Sequence, residues 1–126
     1  MKTTVIDRHK KNGEVPYFDI YIGRRIHWQN IPASKWKNPY IEGRHGTLEE
    51  IIEKHRIYLL QNDELLEALP ELHGKILGCW CKKPAPCHGD ILAKYADIVF
   101  DATQAAGRKL SAEEIREILT RSEVVQ

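Results

Sequence analysis

Three cysteines and one histidine lie within a stretch of ten residues in the second half of the chain. They are Cys79, Cys81, Cys87 and His88. Thiolate and imidazole groups are ligands that Zn²⁺ accepts, and together these four make a Cys₃His set. A disulfide framework would spread its cysteines along the chain, so the cluster indicates thiol or metal chemistry in a reducing compartment. One interpretation is therefore a zinc-binding structural or interaction module without catalysis.

A second interpretation is a catalytic or ligand-binding thiol. Cys87 and His88 stand just before a helix that is predicted to start near Asp90. The N-terminus of a helix favours a thiolate, and it also favours a bound anion or phosphate. Cys81 or Cys87 would then be the nucleophile. His88 would act as acid or base, and Asp90 would orient it.

A third interpretation is purely structural. Cysteine often packs in protein interiors as a small hydrophobic residue, and Cys79, which lies inside an apolar run, fits that role best. His88 and Asp90 would then only cap the helix. The sequence leaves these three interpretations open.

Four further residues are candidates for contact with a ligand. The planar fork of Arg24 suits a phosphate or carboxylate, with an ordinary surface arginine as the alternative. Trp36 is either a stacking platform for a base or an anchor for its loop. Asn38 is a candidate polar contact, and Lys82 adds positive charge beside the cysteines. Together with the cysteine cluster, this set suits a nucleotide-like or other small anionic ligand, although no glycine-rich phosphate motif is present.

Short strand and helix patterns alternate along the chain, which indicates a small α/β or α+β domain. Residues 17–22 alternate as a strand with Phe18 and the two isoleucines on one face. Residues 75–80 form an apolar run typical of a buried strand, and they open a strand–loop–helix motif over residues 75–99. Ligands commonly bind at the carboxyl end of such a strand. The long loop over residues 27–46 contains two tryptophans, which need a surface or a ligand to pack on.

Two capping boxes mark the starts of helices at Thr47 and Ser111. A short helix over residues 63–69 is predicted to stop at the proline that follows it, and the last helix is predicted to run to about residue 120. His55 falls on the apolar stripe of the first helix. We therefore expect it to be a core histidine whose hydrogen bonds are satisfied.

The composition is that of a globular protein. The chain has 126 residues, of which 42% are hydrophobic and 29% charged, and its formal net charge is +1. This length predicts one domain, over residues 1–126. The balanced charge gives no strong nucleic-acid signal, although it does not exclude a local basic patch. No apolar stretch approaches the roughly 20 residues that span a bilayer, and the start resembles no secretory signal, which predicts a cytoplasmic protein.

Four short motifs carry a resemblance to a known family: LGCWC at 77–81, PCHGD at 86–90, YIGR at 21–24 and SKWKNP at 34–39. They are similar to the signature of an uncharacterised family, domain of unknown function 4326, whose members occur in bacteria and their phages. The resemblance covers about residues 15–97 and implies a small standalone α/β domain, without an activity. Residues 100–126 lie outside it and are interpreted as a C-terminal helical extension.

Overall fold

The computed structural model describes residues 2–7, 16–79 and 87–124. Within them lies a parallel sheet of three strands: β1 (Thr4–Asp7), β2 (Ile20–Tyr21) and β3 (Ile76–Cys79). The strand order is β1-β3-β2, so β3 is central. Because the strands are parallel, their carboxyl ends meet at one edge of the sheet. This confirms the predicted α/β class, and the segment after β3 starts from that edge.

The second strand is shorter than the six residues predicted from its alternation. The Asp19 carboxylate accepts a hydrogen bond from the Ile76 amide at 2.8 Å, and the Asp19 amide donates to the Ile76 carbonyl at 2.8 Å. A side chain therefore occupies a position where a backbone carbonyl would continue the ladder. The regular strand begins only at Ile20.

The predicted face of Phe18 is wrong for the same reason. Its ring lies against Gly78 and beside the ring of Tyr21, with 6.5 Å between the two ring centroids. Tyr21 pairs with Gly78 in the register of the sheet, whereas Ile20 pairs with Leu77. Phe18 therefore covers the face of the sheet opposite to the one predicted from strict alternation.

The described residues also form four α-helices: α1 (Leu48–Leu60), α2 (Asp63–Ala68), α3 (His88–Ala106) and α4 (Ala112–Val124). Both predicted capping boxes are confirmed, because Thr47 pairs with Glu50 and Ser111 with Glu114. The helical segment does not end at Pro70, as predicted, but continues after α2 as a 3₁₀ helix over Leu69–Leu72. Proline fits there because the first turn of a helix needs no amide donor.

The core forms between the sheet and one stripe of α3. Leu92, Tyr95, Ala96 and Val99 are buried on that stripe. Ile115 and Leu119 of α4 belong to the same buried cluster, and α4 packs against α2 and α3. The extension that the sequence placed from residue 100 thus begins inside α3, which ends at Gly107 in the left-handed conformation. No helix in the described part of the chain is long and apolar enough to cross a membrane.

We expect Gly78→Ala to lower the free energy of unfolding by about 1–3 kcal/mol, the usual cost of overpacking. A Cβ atom at this position would lie 2.6 Å from Cγ of Phe18. Urea unfolding followed by circular dichroism measures the loss. In a double-mutant cycle, Phe18→Ala should relieve part of it, with a coupling of at least about 0.5 kcal/mol. If the losses of unfolding free energy in the two variants are strictly additive, contact with the Phe18 ring is not what makes alanine unfavourable at position 78.

Candidate functional site at the carboxyl end of the sheet

The N-terminus of α3 is built around the sulfur of Cys87. The helix begins at His88, two residues earlier than predicted, with Cys87 as its N-cap in an extended conformation. The Cys87 sulfur accepts a hydrogen bond from the Gly89 amide at 3.3 Å, and the Asp90 carboxylate accepts one from the Cys87 amide at 3.1 Å. The sulfur thus occupies the place where a helix presents its unpaired amides. The helix amides favour the thiolate, whereas burial of the sulfur, with Cys87 only 1% exposed in the core cluster, favours the thiol.

A second cysteine touches the first. The sulfurs of Cys79 and Cys87 are 3.4 Å apart, and the Cys79 sulfur lies 3.5 Å from the Ile6 carbonyl oxygen. A disulfide would hold the sulfurs about 2.05 Å apart, so these are two thiols in contact. Cys79 is fully buried and belongs to the core cluster, the position in which the structural interpretation placed it. The contact nevertheless joins the end of β3 to the first residue of the helix motif.

His88 is held by the backbone of the neighbouring strand. Its Nε2 lies 2.8 Å from the carbonyl oxygen of Ile22, and its Nδ1 lies 3.9 Å from the Cys87 sulfur. Because a carbonyl only accepts hydrogen bonds, Nε2 must carry the proton, which leaves a lone pair on Nδ1 facing the sulfur. The group that orients His88 is therefore the Ile22 carbonyl, a role that the catalytic interpretation had given to Asp90. Asp90 instead completes the helix cap.

Burial keeps His88 and a second histidine neutral. Burial lowers the pKa of His88, and the charge of Arg24 lowers it further, while hydrogen bonds to the backbone of Ile22 and Trp36 oppose the shift. The His55 ring meets the His88 ring edge-on, with 5.0 Å between centroids. Burial, followed by the proximity of His88, lowers the pKa of His55 to about 3.

His55 departs from its expected role in one respect. It lies in the core, with 1% of its surface exposed, but its Nδ1 has no hydrogen-bond partner. The apolar stripe of α1 correctly predicted burial, yet nothing in the sequence showed that the ring would face another histidine. The expectation of satisfied hydrogen bonds was therefore wrong for this atom.

Arg24 is fixed beside this cluster by backbone carbonyls. Its Nη2 donates to the Tyr40 carbonyl at 2.7 Å, and its Nε lies 3.4 Å from the Asn38 carbonyl. The guanidinium has five donors, so these contacts leave others for a ligand. Its side chain is exposed to solvent although its position is fixed.

Two of the predicted ligand contacts serve the fold. Trp36 is only 2% exposed and lies in the core cluster, which favours the loop anchor over the stacking platform. Asn38 is buried, and its amide donates to the Ile51 carbonyl and accepts from the Tyr40 amide. The exposed tryptophan is Trp28, for which the sequence predicted no role.

The remaining predicted site residues, Cys81 and Lys82, lie outside the described residues. Among the residues that the structure does describe, no group of three or more histidine, cysteine or acidic side chains could hold a metal ion. Since Cys81 is one of the four predicted zinc ligands, the complete Cys₃His set stays a prediction. The described ligands alone do not make such a site, and no chemical step is assigned to a metal here.

Comparison with known proteins points to uncharacterised relatives. A model of the family described as "Domain of unknown function (DUF4326)" matches residues 5–98, which extends the sequence-based estimate to include β1. The chain is 36% identical over 102 residues to uncharacterized protein R718 of Acanthamoeba polyphaga mimivirus, covering 73% of this chain and 77% of that protein.

A second relative is an uncharacterized 12.4 kDa protein from the nrdA-td intergenic region of Enterobacteria phage T4. It is 33% identical over 97 residues, with 76% of this chain and 79% of the relative covered. No solved structure matches the chain. The relatives therefore establish kinship without supplying an activity.

We expect the protein to lose stability as the pH falls from 6.5 to 4.5, and we expect His55→Leu to reduce that loss by about 1–2 kcal/mol. The pKa of His55 is depressed in the folded protein, so the unfolded chain binds more protons below pH 6.5. Urea unfolding at several pH values measures the effect. His27→Leu, at an exposed position, is the control and should leave the pH dependence unchanged. A parallel pH dependence in His55→Leu and the wild type would contradict the assignment.

Proposed function

The chain belongs to the DUF4326 family, and we propose that it binds a small anionic, nucleotide-like ligand at the carboxyl end of its sheet, next to the Cys87 thiol. The ligand would meet Arg24 on one side and the first turn of α3 on the other. The carboxyl end of a parallel sheet is where open α/β folds commonly bind ligands. The main proposal is that the ligand binds, and a reaction of the Cys87 thiol is a second step.

The observation that carries the proposal is the hydrogen bond between His88 Nε2 and the Ile22 carbonyl, at 2.8 Å. It ties the segment that contains Arg24 to the N-terminus of the longest helix in the described residues. A fixed cation and a helix N-terminus both attract negative charge. The lowering of the His88 pKa by Arg24, after the larger effect of burial, is consistent with the same proximity.

Asp90 determines the direction from which an anion approaches. Its carboxylate is exposed and carries negative charge at the third position of α3. An anion is therefore expected on the Arg24 side of the helix terminus. Because the two carbonyls that hold Arg24 fix the guanidinium in advance, little conformational entropy is lost when a phosphate binds.

The thiol contributes reactivity to this site. His88 turns the lone pair of Nδ1 toward the Cys87 sulfur, so this nitrogen would be the acceptor of the thiol proton, a transfer that the lowered pKa of His88 opposes. The 3.9 Å separation is long for a hydrogen bond, and such contacts often tighten only when substrate binds. Cys87 and His88 would then act as nucleophile and base.

Titration with inorganic phosphate and with nucleoside mono-, di- and triphosphates tests the binding step. We expect at least one nucleotide to raise the melting temperature, with about 2.7 kcal/mol of stabilisation at a hundred times its Kd. Arg24→Gln should weaken binding by roughly 10- to 150-fold, because a hydrogen bond to a charged group contributes about 1.5–3 kcal/mol. Titration calorimetry measures the Kd of the nucleotide for the wild type and for Arg24→Gln.

Arg44→Gln is the matched control for this titration, since Arg44 is exposed and makes no described side-chain contact. It should bind the same nucleotide as well as the wild type does. Arg24→Lys keeps the charge without the fork and should fall between the wild type and Arg24→Gln. Failure of every phosphate compound to bind, or equal losses in Arg24→Gln and Arg44→Gln, would overturn the proposal.

Alkylation with iodoacetamide tests the thiol. We expect Cys87 to be labelled below about pH 7.5, and faster than Cys79, because helix amides favour its thiolate. Peptide mass spectrometry locates the label, and Cys87→Ser, which retains an N-capping oxygen, is the unreactive control.

Metal analysis of the same preparation separates this chemistry from the zinc module that the sequence offered as its alternative. Stoichiometric zinc, with unfolding on addition of a chelator, would support the zinc module and contradict a reactive thiol. A metal-free protein that is selectively labelled at Cys87 would support the thiol.

A further inference from the structure

We propose that the loop between β2 and α1 binds single-stranded nucleic acid, with a base stacked on Trp28 and the phosphates on Arg25 and Lys37. We call residues 22–41 the cationic loop. It contains four lysine or arginine residues and no aspartate or glutamate. Outside it, acidic residues outnumber basic ones, so the net charge of +1 conceals a strong local segregation.

Trp28 stands at the tip of this loop and is 80% exposed, the most exposed of the large hydrophobic side chains in the described residues. It lies in a single 3₁₀ turn, His27–Gln29. Ile26 and Ile31 close that turn with two backbone hydrogen bonds, of 2.8 and 3.1 Å. Because Ile26 is buried, the tip is anchored to the domain while the indole ring remains in solvent.

The backbone of the loop is folded back on itself, which brings its charges together. The Ser34 amide donates to the Gly23 carbonyl at 3.0 Å, and Arg24 bonds to the carbonyls of Asn38 and Tyr40. The second arm of the loop therefore runs beside the first. Charges that are ten or more residues apart in sequence thus lie on one compact element.

Two of the four cations are available to a partner. Lys35 pairs with Glu71 at 2.7 Å, and Arg24, held by the two carbonyls, is assigned to the small-ligand site. Arg25 and Lys37 are exposed, and no acidic side chain of the described residues pairs with either of them. An exposed aromatic ring on the same loop as two cations without a described acidic partner is a combination suited to unpaired bases and their phosphates.

The single-stranded form is favoured by the shape of the tip. Stacking on the indole requires a base whose face is open, whereas a duplex stacks its bases against one another. The tip is one turn long, so it also lacks the extended helix or ribbon that reads a major groove. DNA and RNA offer the same stacking and phosphate chemistry, and the experiment compares both.

The two proposals rest on different side chains, although Arg24 belongs to the same loop. The small-ligand site depends on Arg24 and the N-terminus of α3, whereas the strand would contact Trp28, Arg25 and Lys37. Either proposal can therefore fail while the other stands.

The test is fluorescence anisotropy with labelled thymidine and uridine oligonucleotides, and with a duplex of equal length, at several salt concentrations. We expect the single strands to bind more tightly than the duplex. Trp28→Ala should weaken binding roughly 5- to 150-fold, the effect of losing one stacked base. Trp28→Tyr should restore part of the affinity. Tyr17→Ala removes another exposed aromatic ring, outside the cationic loop, and should have no effect.

The charges are tested by the salt dependence. The double substitution Arg25→Ala/Lys37→Ala should make the slope of log affinity against log salt shallower by about 1.4, which corresponds to two phosphate contacts on a single strand. Lys2→Ala/Lys109→Ala removes two exposed lysines elsewhere and should leave the slope unchanged. Circular dichroism and melting temperature verify that each variant is folded.

Three results would overturn the proposal. The first is that no oligonucleotide binds at low salt. The second is that the duplex binds as tightly as the single strands, or that Trp28→Ala binds as the wild type does. The third is that vesicles of anionic lipid bind the cationic loop while oligonucleotides do not, which would assign this surface to a membrane.

Discussion

The hydrogen bond from His88 to the Ile22 carbonyl joins the start of α3 to the end of β2, and the arrangement of the candidate site depends on it. The bond is 2.8 Å long and lies in the interior, where His88 is only 6% exposed. A buried carbonyl or imidazole left without a partner would cost about 1–3 kcal/mol. Keeping both groups paired therefore favours a start of α3 at His88 and in this orientation.

The close approach behind that bond requires the glycine that follows the histidine. A Cβ atom on Gly89 would lie 2.7 Å from Cδ1 of Ile22 and 2.9 Å from Cγ1 of Val5. With glycine, the first turn of α3 rests directly on the ends of two strands, and the Cys87 sulfur comes within 3.4 Å of Cys79. The Cys-His-Gly-Asp run is thus one packing unit: thiol cap, anchoring imidazole, contact glycine and capping carboxylate.

Burial gives the same unit its chemical character. Two histidines face each other with lowered pKa values, and a sulfur lies on helix amides beside one of them. A buried nitrogen without a hydrogen-bond partner, such as His55 Nδ1, destabilises the fold. Apolar side chains at the positions of these histidines would therefore pack at a lower cost. Retaining the polar groups at the carboxyl edge of a parallel sheet is typical of sites where structure and chemistry coincide.

Local sequence determined the features that depend on neighbouring residues. The capping boxes at Thr47 and Ser111, the apolar run of β3 and the buried stripe of α3 follow from short-range rules of hydrogen bonding and periodicity, and each is present. The position of the candidate site near Cys87 and His88 was likewise readable, because it rests on residue types and their spacing. The absence of aspartate and glutamate from the cationic loop can also be read directly from the sequence.

Only the tertiary structure decided which partners these residues meet. The ladder of β2 is cut short by a carboxylate 57 positions from its partner in sequence. The group that orients His88 is a backbone carbonyl, and since every residue has one, residue types in the sequence do not indicate it. Of the two loop tryptophans, one is buried and the other exposed, a difference set by which side of a folded loop meets the core. Sequence patterns record the periodicity of one segment, whereas these outcomes depend on contacts between segments that are far apart in the chain.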